Sequence, residues 1–237
     1  MLIFLPGLIC DARIYAPQTA AFAGSMAINT YGPKSSPADS LADMARIALA
    51  EADKAGAEQF DLFGHSMGGR VALEVFRLAP QRVRRLALAS TGIHPLGPNE
   101  PASRAALQAV GHQNGFPALV DHWLPPMVAE ANRTDPAIYP PLEAMCLDQG
   151  QAMFDAQINA LVTRPDVTGL LGQIACPTLV MTGELDAWAP PAQHEKIAAA
   201  IPGAELVIVP GAGHMVQFEA PAAVNAAITR WLEQPAS

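Results

Sequence analysis

Cysteine is scarce in this chain of 237 residues: there are three, Cys10, Cys146 and Cys176, odd in number and widely spaced. No C-x-x-C pair occurs, so neither a zinc nor a dithiol spacing is present and no disulfide framework is implied. A reduced compartment is the simplest account, and a cytoplasmic location is the expectation. Charge is sparse too, 15% of residues, with 14 Lys and Arg against 22 Asp and Glu and a formal net charge of −8. That balance, without any run of basic residues, argues against a nucleic-acid partner. The trio Arg82, Arg84 and Arg85 reads as a solvated loop before a strand. Long apolar runs are missing. The opening Met1–Leu5 has no basic flank and meets Pro6-Gly7 too soon for a signal h-region or a membrane span. His94, His112, His122 and His194 show no metal-ligand spacing with each other or with carboxylates, so no metal and no cofactor are expected.

What is present is a 51% hydrophobic composition, ample for one large domain with an insertion. Strand-like apolar runs fall at Leu2–Leu5, Met26–Thr30, Gln59–Phe63, Arg85–Ala89, Thr178–Thr182 and Leu206–Val209. Helical spacing separates them at Pro17–Phe22, Leu41–Lys54, Met67–Leu78, Pro191–Ala200 and Pro221–Leu232. Such alternation predicts an α/β fold, a mostly parallel sheet with helices on both faces. Asp39 and Ser40 are capping candidates for the second helix. The alternation breaks once. From Ile93 to about Ile174 there is no strand pattern, prolines recur, and short helical faces such as Phe116, Leu119, Val120, Trp123 and Leu124 appear. The expected organisation is a core of residues 1–93 and 175–237 with a helical lid, residues 94–174, inserted between its halves.

One short motif carries the chemistry. Gly64-His65-Ser66-Met67-Gly68 reads G-x-S-x-G between a strand pattern and a helix pattern, the context of a nucleophile elbow. Turning from strand to helix at one residue strains the serine backbone and requires small neighbours, here Gly64 and Gly68. A serine hydroxyl is a poor nucleophile at neutral pH and needs a general base. Histidine suits that task because its unperturbed pKa, ~6.5, lies near working pH. His65, within the elbow itself, is expected to pack or hydrogen-bond locally.

With Gly64-His65-Ser66-Met67-Gly68, Thr182-Gly183-Glu184-Leu185-Asp186 after one strand and Gly211-Ala212-Gly213-His214 after the next, the chain resembles the α/β-hydrolase superfamily over nearly its whole length. The order Ser, Asp, His along the chain is the order of that fold. The resemblance implies Ser66 as nucleophile, His214 as general base and Asp186 as the acid that orients it, with Glu184 as a rival acid closer to its strand. It also implies two backbone N–H donors to an oxyanion, those of Met67 and Leu8. Here the sequence departs from the family, which often has His-Gly where this chain has Pro6-Gly7. Ser66 stands where haloalkane dehalogenases of this fold carry a carboxylate. Ser66-Met67-Gly68-Gly69-Arg70 also resembles the menaquinone-pathway lyase and the C–C bond hydrolases.

The resemblance implies a serine hydrolase acting on a small carboxylic ester or lactone through an acyl-enzyme. The alternatives are a lyase or C–C bond hydrolase of the same fold, cofactor-free haloperoxidase-like chemistry, and a non-catalytic receptor that keeps the triad. The partner is a small-molecule substrate, and the sequence sets no oligomeric state. Candidate substrate-binding residues are Phe116, Trp123, Met127, Met153 and Trp188, which predict a largely apolar pocket. The opposing expectation is that Arg104, Arg133 and Arg164 converge on a carboxylated substrate.

Overall fold

The computed structural model describes residues 1–236. Six parallel strands form one sheet: β1 (Leu2–Leu5), β2 (Met26–Ala27), β3 (Phe60–His65), β4 (Val83–Ala89), β5 (Thr178–Gly183) and β6 (Glu205–Val209), in the order β2-β1-β3-β4-β5-β6. The central strands β1, β3 and β5 are buried at every position, which is why they read as continuous apolar runs rather than alternating ones. Each fully buried Leu, Ile or Phe in them contributes roughly 1.5–3 kcal/mol.

Helices α1 (Ala16–Ala21), α2 (Leu41–Lys54) and α3 (Met67–Leu78) lie in the first half of the core. Helices α4 (Glu100–Asn114), α5 (Phe116–Trp123), α6 (Tyr139–Leu147), α7 (Gln151–Val162) and α8 (Thr168–Leu171) occupy the stretch between β4 and β5. Helices α9 (Pro191–Ala200), α10 (Val216–Glu219) and α11 (Pro221–Glu233) complete the chain. Helix α3 packs on β1, β3 and β4, helices α9 and α11 pack on β5 and β6, and α2 and α1 pack in turn on α3 and α11. Ser40 caps α2, its hydroxyl accepting from Asp43 N at 3.1 Å, and Leu41, Met44, Ala45, Ala48 and Ala52 form the buried face. The prolines of the 94–174 stretch start helices: Pro101, Pro117 and Pro140 sit in the first turns of α4, α5 and α6, where a missing N–H costs nothing. No helix among the described residues is long and apolar enough to cross a membrane.

Three expectations need correction. The second strand ends at Ala27 rather than Thr30. It lies at the sheet edge, Ile28 N adds one last bond to Phe4 O, and the chain then turns at Gly32, whose φ is 96°. The third strand runs on to His65, paired with Ala89 of β4, so the sheet reaches the elbow itself. The arginine trio is not a solvated loop. Arg84 and Arg85 lie inside β4 and both pair with buried Asp61 of β3, while Arg82 lies over the Phe60 ring. Charged residues disguised the start of β4 because their counter-charge is on the neighbouring strand.

The strand order reverses between β1 and β3, with β2 outside one and β4 outside the other. Ligands of open α/β sheets bind in the crevice at such a switch point, beyond the carboxyl ends of the strands.

Candidate active site

Ser66 follows the last residue of β3 and precedes the first of α3, with φ 55° and ψ −118°. That conformation costs roughly 1–3 kcal/mol for a residue with a Cβ, so its surroundings must hold it. Ser66 N donates to Ala89 O at 2.9 Å, and Ser66 O accepts from Gly69 N at 3.0 Å and from the Thr91 hydroxyl at 2.6 Å. The small neighbours are obligatory: a Cβ on Gly64 would overlap the Gly68 carbonyl, and one on Gly68 would overlap that of Leu5. Ile9 after β1 and Ser90 after β4 also have positive φ, 45° each. Among the described residues the three non-glycine positions of this kind all lie just beyond strand ends around one crevice.

Into that crevice β5 and β6 deliver the other two groups. His214 Nε2 is 2.9 Å from Ser66 Oγ, and His214 Nδ1 is 2.9 Å from Asp186 Oδ2 and 3.1 Å from Oδ1. A carboxylate only accepts, so Nδ1 carries the proton and Nε2 is free to accept from the serine hydroxyl. Asp186 is 2% exposed, and its carboxylate also accepts from Trp188 N, Ala189 N and the Thr182 hydroxyl. Burial raises its pKa, but the His214 charge and hydrogen bonds from His214, Ala189 and Ser90 outweigh that and bring it to about 2. One side chain thus both caps the turn before α9 and orients the imidazole. Glu184 is exposed and spends its carboxylate on Gly211 N at 3.1 Å.

The histidine beside the serine has a long-range role. His65 Nε2 is 2.9 Å from the His214 carbonyl oxygen, so it carries the proton and donates. Burial, and then the nearby His214, lower the His65 pKa to about 3. His194 accepts from Thr91 N at Nε2, and burial holds its pKa down to about 4. Both stay neutral and support the loops around Ser66.

A residue the sequence offered no reason to select, Glu219 of α10, braces the His214 loop. Its Oε1 accepts from Gly213 N at 3.1 Å and Met215 N at 3.0 Å, and its Oε2 from Ala129 N and Asn132 Nδ2, both at 2.9 Å. His214 N donates to Met127 O at 2.9 Å. The loop carrying His214 is therefore tied directly to the helical stretch between β4 and β5. On the opposite side, Gln157 of α7 accepts from Ile9 N at 2.7 Å, and Tyr31 donates to Pro6 O at 3.2 Å. These contacts organise the Pro6-Gly7-Leu8 loop without the family's histidine.

Leu8, Ser66, Met67 and His214 line a cavity of about 440 Å³. Trp123, Met127 and Trp188 line it as well, whereas Met153 is buried in the core and Phe116 packs against it, neither facing the cavity. The helices between β4 and β5 pack on one another, so some of their apolar side chains, Met153 among them, are buried away from the crevice. The wall is also less apolar than expected. Arg70, Arg104 and Glu100 line it, with Arg164 bonded to Glu100 behind them. Arg133 lies elsewhere, donating to Val128 O. Arg70 is four residues beyond Ser66 on α3, a spacing that marks a shared helix face.

Residues 2–227 match the family model described as alpha/beta hydrolase family. The chain is 34% identical over 201 residues to a dihydrolipoyllysine-residue acetyltransferase component of the acetoin cleaving system from Pseudomonas putida, over 82% of this chain and 51% of that one. It thus spans about half the length of that relative. A carbamate hydrolase, RutD, from Klebsiella pneumoniae strain 342 is 30% identical over 75% of this chain and 68% of its own. Among solved structures, a thermophilic esterase from Thermogutta terrifontis, determined with malate bound, superposes with a TM-score of 0.86 at 26% identity, covering 98% of this chain and 89% of that one. By its parallel sheet, its elbow and these likenesses, the chain belongs to the alpha/beta hydrolase family.

Proposed function

We propose that the protein hydrolyses a small carboxylic ester or lactone through an acyl-enzyme on Ser66. The reading rests on one observation, the unbroken hydrogen-bonded chain from Ser66 Oγ to His214 Nε2 at 2.9 Å and from His214 Nδ1 to Asp186 at 2.9 Å. His214 takes the hydroxyl proton as Ser66 attacks the carbonyl, then returns it to the leaving group. Asp186, ionised at any pH where the enzyme works, stabilises the imidazolium formed in between. The Met67 N–H opens α3 and, with the Leu8 N–H, meets the oxyanion of the tetrahedral intermediate. Water then repeats the sequence on the acyl-enzyme. Residues 94–174 act as the lid, shaping the cavity through Leu107, Trp123, Met127 and Leu161.

A second reading, a C–C bond hydrolase or lyase using the same serine and histidine, is favoured by the arginines on the cavity wall. Turnover of para-nitrophenyl esters separates the readings when its products are identified. Under the ester reading, Ser66→Ala folds normally and loses about 10³ or more in kcat. In the parent protein a fluorophosphonate is expected to phosphonylate Ser66 Oγ with loss of HF, adding the mass of the reagent less HF. Retention of more than about a tenth of the activity by Ser66→Ala would remove Ser66 from the role of nucleophile.

A further inference from the structure

The cavity holds a cation without a counter-charge. Arg70 projects from α3 one turn beyond Ser66, lines the cavity and is only 7% exposed. Among the described residues no carboxylate lies within ion-pair distance of it, and its single polar contact is Nη1 to His94 O at 3.5 Å. The other deeply placed arginines differ: Arg85 pairs with Asp61, and Arg164 with Glu100.

Glu100, the carboxylate on the cavity wall, is fully engaged. Its Oε1 accepts from Arg104 Nε and Arg164 Nη1, both at 2.8 Å, and its Oε2 from Arg164 Nη2 at 2.6 Å. Two guanidinium groups therefore share that carboxylate and Arg70 is left without one, a local excess of positive charge in a chain whose net charge is −8. Burial first, then Arg164, with Arg104 acting the same way and Glu100 opposing, brings the Arg70 pKa down to about 9, so it remains a cation at neutral pH. A buried charge without a partner is unfavourable, and removing it from water makes structural sense where a ligand supplies the opposite charge. The guanidinium fork presents five N–H donors, most of them unused here, in the geometry that a carboxylate accepts bidentately.

We infer that Arg70 binds a carboxylate of the substrate, so that the enzyme selects esters or lactones bearing an anionic group over neutral ones. The inference rests on the hydrolase reading for its scissile bond and on Arg70 for its selectivity. A cavity of about 440 Å³ admits a small acid of this kind whole. Its two ends are then held separately, the carboxylate by Arg70 and the acyl carbon by Ser66.

The test compares mono-para-nitrophenyl adipate with para-nitrophenyl hexanoate, which share a leaving group and nearly share an acyl length, each corrected for the rate with Ser66→Ala. The parent protein is expected to prefer the adipate ester in kcat/KM. Arg70→Met should lower the adipate-to-hexanoate ratio about thirtyfold or more, chiefly through KM, and Arg70→Lys should retain part of the preference. A parent preference for hexanoate, with a ratio that Arg70→Met shifts by less than about threefold, overturns the inference and leaves the hydrolase reading intact. If neither ester turns over above the Ser66→Ala rate, the hydrolase reading fails instead. Adipate binding, followed by fluorescence of Trp123 and Trp188 on the cavity wall, then decides the role of Arg70. Saturable binding lost in Arg70→Met sustains it, and absence of binding to the parent protein overturns it.

Discussion

Removing the Glu219 carboxylate should loosen both the His214 loop and the insertion that meets it. Four donors converge on this one side chain, Gly213 N, Met215 N, Ala129 N and Asn132 Nδ2, at 2.9 to 3.1 Å. Glu219→Ala deletes all four bonds. At about 1 kcal/mol net for each, discounted because Glu219 is only half-buried and water can replace part of the loss, the expected destabilisation is about 2–4 kcal/mol. Glu219→Gln should cost about half as much. Asn132 can turn its amide to offer an oxygen to the new NH2 group, leaving Ala129 N as the one donor that faces another donor. After either change the His214 backbone keeps its bond to Met127 O, so the loop shifts without being released. Displacement of a general base by a fraction of an ångström to an ångström costs about 10- to 100-fold in rate. The assays are urea unfolding at equilibrium and kcat on an activated ester. An alanine variant within about 0.5 kcal/mol of the parent protein, with unchanged kcat, would refute the claim that this carboxylate positions His214.

The remaining predictions concern the acid and the pH response. Asp186→Asn should stay folded and lose several powers of ten in kcat because the imidazole is held in the wrong tautomer, whereas Glu184→Gln should match the parent protein; the reverse pair of phenotypes would move the acid to Glu184. Because Asp186 (about 2), His65 (about 3) and His194 (about 4) have shed their protons well below neutrality, none of the three should add a protonation step to kcat/KM above pH ~5. A limb of slope two above that pH counts against the assignment. Stability should fall on acidification below ~6.5, the unfolded histidine value, since the unfolded chain then binds protons at His65 and His194 that the folded chain refuses. The slope approaches two protons near pH ~5, while the contribution of Asp186 is complete above ~3.9 and is lost only toward its folded value of about 2. Urea unfolding from pH ~7 to ~4.5 measures this, and stability that holds or increases toward acid would contradict it.

Local pattern was enough to find most of the sheet and the elbow, and the family resemblance pointed to Asp186 and His214, which the fold brings beside Ser66. Buried parallel strands must be apolar throughout, an elbow needs glycines where carbonyls crowd a missing Cβ, and helices that start on proline announce themselves. These constraints act within a few residues, so Gly64, Ser66, Gly68 and the strand runs were legible. The edges of β2 and β4 were not, because β2 ends for want of an outer neighbour and β4 begins on arginines neutralised by Asp61 of another strand. The site's supporting residues were hidden for the same reason. Glu219 ties the His214 loop to Ala129 and Asn132, 90 and 87 residues away, Gln157 reaches Ile9 from 148 residues away, and Met153 turns inward while Trp123 turns to the cavity. Arg70 lies between these cases: its spacing from Ser66 is visible in the sequence, and the shortage of carboxylates around it is not. Charge balance in a cavity depends on which groups become neighbours in space, and that is decided by the tertiary structure alone.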